Sequence, residues 1–419
     1  MDTISLLGML LTLSAGFSIL NHHTLRLPVT IGVLVFSLLA SFLVMVLNSL
    51  LPAYDLQAFP RSALGAINLP TVLLNGALSL LLFAGAMQVD VAHLRAKLAS
   101  VAALAVLGTV LAVAFLATAA WYLFPLLGHA VPFAWCIVLG AILAPTDPVS
   151  VVGMLKRLGL PGPLQAVFAG ESLLNDGVGV VIFGVTIGLA TGDSQGVSAS
   201  EIVLSFCREA IGGGLLGVLS GWIGLCVLKQ QRDPHIDLLT SLALATGTFS
   251  IANQLGMSGA IAVVAAGLCF GTGYSHSVFD EASRKELNIA WTLIDEVLNV
   301  LLFVLIGFEI LEITPNLLVV LATLVVIPLS IAARALSVLL SILPVHLRQW
   351  EQGRVLGILT WGGLRGGISV SLALGLPPGG LRDLLLPVCY GVVVFTIIVQ
   401  GLTMERVARK LYPSSAPGA

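Results

Sequence analysis

The stretch VFAGESLLNDGVGVVIFGV, residues 167–185, is an apolar run interrupted within two helical turns by Glu171, Asn175 and Asp176. At helical spacing Ser172 and Asp176 share one face and Glu171 and Asn175 the neighbouring one. One helix thus aims a carboxylate and a hydroxyl at a single point. The rest of the chain says which solvent surrounds that helix. Of 419 residues, 58% are apolar and 10% charged, against about a quarter charged in soluble domains. Mean hydropathy is +1.05, so most of the chain is read as lying in lipid.

A membrane-crossing helix needs roughly 20 mostly apolar residues. Thirteen such segments are expected, at about 4–20, 28–48, 68–88, 99–124, 133–154, 165–190, 202–228, 236–254, 258–274, 289–311, 316–344, 354–375 and 384–405. Basic residues test the count, because cytoplasmic loops are enriched in Lys and Arg. Arg26, Arg95, Lys97, Lys156, Arg157, Lys229, Arg232, Arg284, Lys285, Arg348, Arg354, Arg406, Arg409 and Lys410 fall in odd-numbered connections or the tail, and only Arg61, Arg208 and Arg382 in even-numbered ones. Fourteen against three puts the amino terminus outside and the carboxyl terminus in the cytoplasm. The last two arginines, Arg334 and Arg365, lie inside segments eleven and twelve.

Residues 1–412 read as a single membrane domain and 413–419 as a short cytoplasmic tail, with the longest polar connection around Ser275–Glu286. The first segment lacks a basic region before it and a cleavage site after it, and reads as a retained span rather than a signal peptide. A net charge of −2 spread over such a chain makes no single-sign field and leaves nucleic acid out as a partner. Cys136, Cys207, Cys226, Cys269 and Cys389 fall singly, without disulfide or zinc spacing, and read as small buried side chains.

Charges retained in a bilayer usually line an ion path or pair with one another. Segment five, VLGAILAPTDPVSVVGML (138–155), places Pro145 and Pro148 around Thr146 and Asp147. Proline removes a backbone donor and disfavours helix in the residue before it, so this stretch should be unwound at mid-membrane. Asp147 can cap the half-helix that follows. Segment twelve, LTWGGLRGGISVSLAL (359–374), flanks Arg365 with four glycines. An offset of seven segments gives the two breaks opposite directions, as an inverted repeat requires, and such paired interruptions mark transporter binding sites. The fold class is therefore an all-α, polytopic membrane protein of about thirteen transmembrane helices, an inverted repeat with two discontinuous crossing helices.

Plainer roles compete. Asp147 can be only a helix cap, and Glu171 with Arg334 or Arg365 only a structural ion pair. Glu296 and Glu309 fit either a water-exposed end or a supporting role. The run GGGLLGVLSGWIG (212–224) reads as ordinary close helix packing. Asp176 has no local basic partner.

The set APTDP, GESLLNDG, FVLIGFE, AARALSV and GGLRGG, in this order along the whole chain, resembles the sodium/proton antiporters of the monovalent cation:proton antiporter superfamily, in the electroneutral exchanger branch. The resemblance implies a homodimer in the cell (inner) membrane. It implies a core bundle of about 99–190 and 316–405 moving against a dimerisation bundle of about 4–88 and 202–311. It implies that Asn175 and Asp176 mark the ion site, with Asp176 as carrier of cation and proton, and that Ser172 and the Thr146 carbonyl are further ligands, beside Asp147. Glu171 would pair with Arg334 to brace the site, Arg365 would balance the broken twelfth helix, and Asn175 in place of a second acid implies one proton per cation. Some relatives carry an acid at the place of Ala84, in LLLFAGAM (80–87); Asn75 is a weak substitute.

The expected function is secondary active antiport of a monovalent cation, Na+ with Li+ as a further candidate, against H+. A site of oxygen ligands holds a hard cation only while its carboxylate is charged, so cation and proton compete, and the competition is the coupling. No cofactor is implied, and no nucleotide loop appears. Potassium/proton exchange is the nearest alternative and a cation channel a more distant one. An enzyme is disfavoured, since no HExxH or GxSxG is present.

Overall fold

Inside a bilayer each backbone amide and carbonyl must bond within the protein, so long apolar runs fold as helices. The computed structural model describes residues 3–51, 69–147, 151, 153, 155, 158–192, 199–229, 233–272, 278–279, 281–313, 316–343 and 352–412, and every regular element among them is helical. Pro148, Arg61, Lys156, Arg157, Arg232, Ser275, Arg348, the tail 413–419 and the side chain of Asn75 lie outside the described residues.

In chain order the helices are α1 (Thr3–His23), α2 (Val29–Leu50), α3 (Leu69–Met87), α4 (Val91–Ala96), α5 (Leu98–Leu126), α6 (Phe133–Leu143), α7 (Gly162–Thr191), α8 (Ala199–Leu228), α9 (Pro234–Gln254), α10 (Gly259–Phe270), α11 (Glu281–Glu309), α12 (Leu317–Ile342), α13 (Gln352–Trp361), α14 (Gly367–Leu374) and α15 (Gly380–Leu411). Among the described residues nine are long and apolar enough to cross a membrane, and shorter apolar helices accompany them at Gly76–Met87, Phe133–Leu143 and Gly259–Phe270. Helix stops where the residues forbid it: α6 ends before Pro145, and Gly362–Gly366 separate α13 from α14.

Large apolar side chains such as Leu215, Trp222, Leu239 and Leu324 point outward, while Glu171, Asp176, Asp237, Asp295, Arg334 and Arg365 are buried. That polarity is the one expected of a chain solvated by lipid. Three clusters of buried side chains tie the helices together. One joins α5, α6, α12 and α15 through Leu116, Leu139, Val326 and Val388. Another joins α3, α7, α10 and α11 through Phe83, Phe168, Val263 and Trp291. The last joins α1, α2, α11 and α15 through Leu6, Leu34, Val304 and Val393. The small-residue run on α8 packs against α10: a Cβ on Gly217 would collide with the Ala262 carbonyl, and one on Gly213 or Gly221 would lie 2.6 or 2.9 Å from the carbonyl of Ser258 or Ala266.

Hydropathy misplaces some boundaries. The tenth segment, expected from about 289, begins at Glu281, so the connection before it is shorter than its polarity implies. Glu281–Asn288 are too polar for lipid, but Glu, Ala, Arg, Lys and Leu are good helix formers, and the helix extends beyond the apolar run. A short helix, α4, occupies the connection after α3. Asp90 caps it by accepting from the amides of Ala92 and His93, and the His93 side chain at 2.7 Å helps hold this carboxyl below the usual carboxylate range. Of the cysteines, Cys136 and Cys389 are buried, whereas Cys207, Cys226 and Cys269 are only half-buried; those three lie on α8 and α10, where apolar means facing lipid as readily as core.

Candidate functional site

The polar residues of α7 are gathered by two others that cross from α12 and α14's leading loop. Arg334 donates to both oxygens of Glu171 at 2.8 Å each, and its Nε donates to the Leu359 carbonyl in the last turn of α13 at 3.3 Å. Glu171 also accepts from Asn175 Nδ2 at 2.8 Å. The same Nδ2 donates to Thr146 Oγ1 at 2.7 Å, and Asn175 Oδ1 accepts from the Thr146 amide at 3.3 Å. Thr146 Oγ1 lies 3.0 Å from Ser172 Oγ. Every member is buried, and the chain of bonds runs directly from Arg334 to the unwound stretch. Charge-assisted, bidentate bonds of this kind fix geometry as well as charge.

The stretch that follows α6 and the break between α13 and α14 touch. The Asp147 amide donates to the Leu364 carbonyl at 2.8 Å, and the Arg365 amide donates to Thr396 Oγ1 at 3.1 Å. Arg365, expected to balance the break in its own segment, sends its guanidinium to the other one, donating to the carbonyls of Ala144 at 2.6 Å and Pro145 at 3.2 Å. These carbonyls follow directly on the last turn of α6, at its negative dipole end, where a cation is favoured. Arg365 is also within electrostatic reach of Asp176. Gly366 makes the contact possible: an added Cβ would stand 2.8 Å from Asp147 Cβ. We expect Gly366→Ala to lower the transport rate several-fold and to destabilise the protein by about 1–3 kcal/mol through overpacking, checked by vesicle flux and thermal unfolding of the same preparation.

Asp176, 4% exposed, opens on a cavity of about 60 Å³ lined also by Thr146, Asp147, Gly366 and Ser371. Leu78, Leu81, Leu82 and Gly85 of α3 and Asn299 and Leu302 of α11 line it as well. Room for a few water molecules suits a small ion and excludes an organic solute. Oxygen donors with a carboxylate are ligands for a hard cation. Of the residues singled out in the sequence, Thr146, Asp147 and Asp176 reach the cavity, while Ser172, Asn175, Glu171 and Arg334 stand behind them as the row that orients Thr146. Glu296 is exposed and Glu309 half-buried, and neither lines the cavity. Ala84 is fully buried in the apolar cluster and does not line it either.

Sequence reading missed Asn299 and its neighbour Asp295, 7% and 5% exposed. A signal existed: both fall on the buried stripe of α11 with Trp291 and Leu302, three or four residues apart.

A family model described as sodium/hydrogen exchanger, transmembrane, matches residues 9–410. The chain belongs to the sodium/hydrogen exchanger family. This family member is 38% identical over 417 residues to the Na(+)/H(+) antiporter NhaP of Pseudomonas aeruginosa, covering 98% of the chain and 97% of that relative. It is 32% identical over 400 residues to the Na(+)/H(+) antiporter ApNhaP of Aphanothece halophytica, covering 94% of the chain and 75% of the relative. Its fold matches that of the sodium proton antiporter MjNhaP1 of Methanocaldococcus jannaschii with a TM-score of 0.76, over 97% of this chain and 98% of the other, at 19% identity. The exchanger family is a family of transporters, and this member is a multi-pass membrane protein.

Proposed function

We propose that this exchanger carries Na+, with Li+ as a second substrate, against H+ across the cell membrane, one ion for one proton. The observation that carries the reading is Asp176, a buried acid facing an ion-sized cavity lined from the stretch after α6 and from the break between α13 and α14. Charged, Asp176 holds the cation with Thr146 and Asp147 beside it; protonated, it releases the cation, because a neutral acid cannot balance the ion's charge. Ser172 and Asn175 set the direction of Thr146, and the Glu171–Arg334 pair holds them. If the occupied carrier crosses the barrier and the bare anion does not, each cation moved one way returns a proton the other way. The crossing is a movement of the bundle 99–190 with 316–405 against the bundle 4–88 with 202–311, in a homodimer oriented with its amino terminus outside. Names of relatives that are antiporters of sodium and protons support this assignment.

The test is proton flux in vesicles holding the purified protein, driven in turn by sodium, lithium and potassium gradients across a range of pH. Sodium and lithium should drive it, and the sodium response should be unaffected by an imposed membrane potential. Flux driven by potassium alone would transfer the site to that ion, and flux without counter-transport would make the protein a channel.

A further inference from the structure

Helix α11 carries a polar stripe from the protein surface to the ion cavity. Asn288, Thr292, Asp295 and Asn299 follow one another at spacings of four, three and four residues, which places them within about 60° of one another around the helix. Asn288 and Thr292 are exposed and line a surface groove with two acids, Glu281 and Glu296, and two bases, Arg284 and Lys285. Asn299, at the other end, is buried and lines the cavity that holds Asp176. Asp295 sits one turn before it, 5% exposed and within electrostatic reach of Asp147.

A carboxylate at that depth costs several kcal/mol, and nothing described offsets it with a basic group. Its hydrogen bond among the described residues comes from Asn299 Nδ2, 3.1 Å from Asp295 Oδ1, and the same nitrogen reaches the Asp295 carbonyl at 3.0 Å. That bond uses one of about four lone-pair sites on a carboxylate. It also commits the amide nitrogen of Asn299, which leaves its Oδ1 without a partner among the described residues, on a side chain that lines the cavity. Two kinds of unspent oxygen on adjacent turns, one a carboxylate's and one an amide's, between the surface groove and the Asp176 cavity, are donors for a hard monovalent cation.

We propose that Asp295 and Asn299 form a second, transient station for the transported ion, which takes a partly hydrated monovalent cation from the groove and hands it to Asp176. The proposal rests on the exchange reading above. In this scheme Asp295 binds the cation ahead of Asp176 and raises its local concentration at the cavity, while the exchange of cation for proton that drives transport stays at Asp176. Removing it therefore changes how much cation is needed rather than how fast the loaded carrier moves.

Sodium-driven proton flux is measured in vesicles containing the wild-type protein, Asp295→Asn, Asp295→Glu and Asn299→Ala, with thermal unfolding of each. Asp295→Asn is expected to raise the half-saturating sodium concentration about five-fold, the size of a lost attraction to one unit charge on a hydrated path, and to leave the maximal rate within about two-fold. Asn299→Ala should shift half-saturation in the same direction, and Asp295→Glu should restore it. Unchanged half-saturation in folded Asp295→Asn, or a fall in maximal rate alone, overturns the station while leaving the exchange reading intact; should Asp295→Asn fail to fold, unchanged half-saturation in Asn299→Ala overturns it. Absence of wild-type flux with sodium, lithium and potassium overturns both.

Discussion

Asp176→Asn is expected to reduce sodium-driven proton flux by about a hundred-fold or more, the order lost when an essential proton-transfer group is removed, to the level of protein-free vesicles. The amide keeps the size of the acid and neither takes up a proton nor balances a cation, so both halves of the cycle fail together. Folding should survive. Asp176 faces the cavity, and its replacement leaves the bonds among Arg334, Glu171, Asn175 and Thr146 in place. The check is vesicle flux beside the thermal unfolding temperature of the same sample. A variant that folds normally and still acidifies vesicles against a sodium gradient would remove Asp176 from the transport step.

Glu171→Ala is expected to lose stability instead, by about 3–5 kcal/mol, because one partner of a buried ion pair is removed and the other charge stays. Arg334 is 3% exposed and, among the described residues, would keep only the bond from its Nε to the Leu359 carbonyl. Asn175 loses its acceptor on Glu171 as well, so Thr146 loses orientation together with the fold. The unfolding temperature should fall by roughly 10 °C, and the yield of folded protein with it. A double variant, Glu171→Leu with Arg334→Met, should recover part of the loss, since an apolar pair of similar volume leaves no charge stranded. Normal unfolding of Glu171→Ala would show that the pair does not brace the site.

The site's chemistry was legible wherever a residue was out of place for its solvent. Glu171, Asp176, Arg334 and Arg365 announce themselves because a charge inside an apolar run is rare in lipid, and Pro145 announces the end of α6 because it cannot continue the bonding ladder. Asp295 was harder to see. It stands beside Glu296 near the end of an apolar run, and adjacent residues on a helix point about 100° apart, so one of the two faces inward and composition does not say which. The bond from Trp291 Nε1 to Ser241 Oγ at 2.9 Å, with the packing of Trp291 under Phe83, helps set the rotation of α11 that turns Asp295 in and Glu296 out. The destination of Arg365 was equally hidden, because a long side chain beside a flexible glycine run can serve the carbonyls of its own break or those of another.

By itself the sequence determined that the solvent is lipid, that the chain is helical, and which few ionisable groups lie at membrane depth, because each of these follows from the local cost of placing charge and unbonded backbone in hydrocarbon. Only the tertiary structure decided that Asp147 and Asp176 share one cavity, that Arg365 answers the carbonyls just past α6, and that α11 brings Asn299 to that cavity. Those are facts about helix rotation and approach across hundreds of residues, and they are set by packing between surfaces that no stretch of sequence contains.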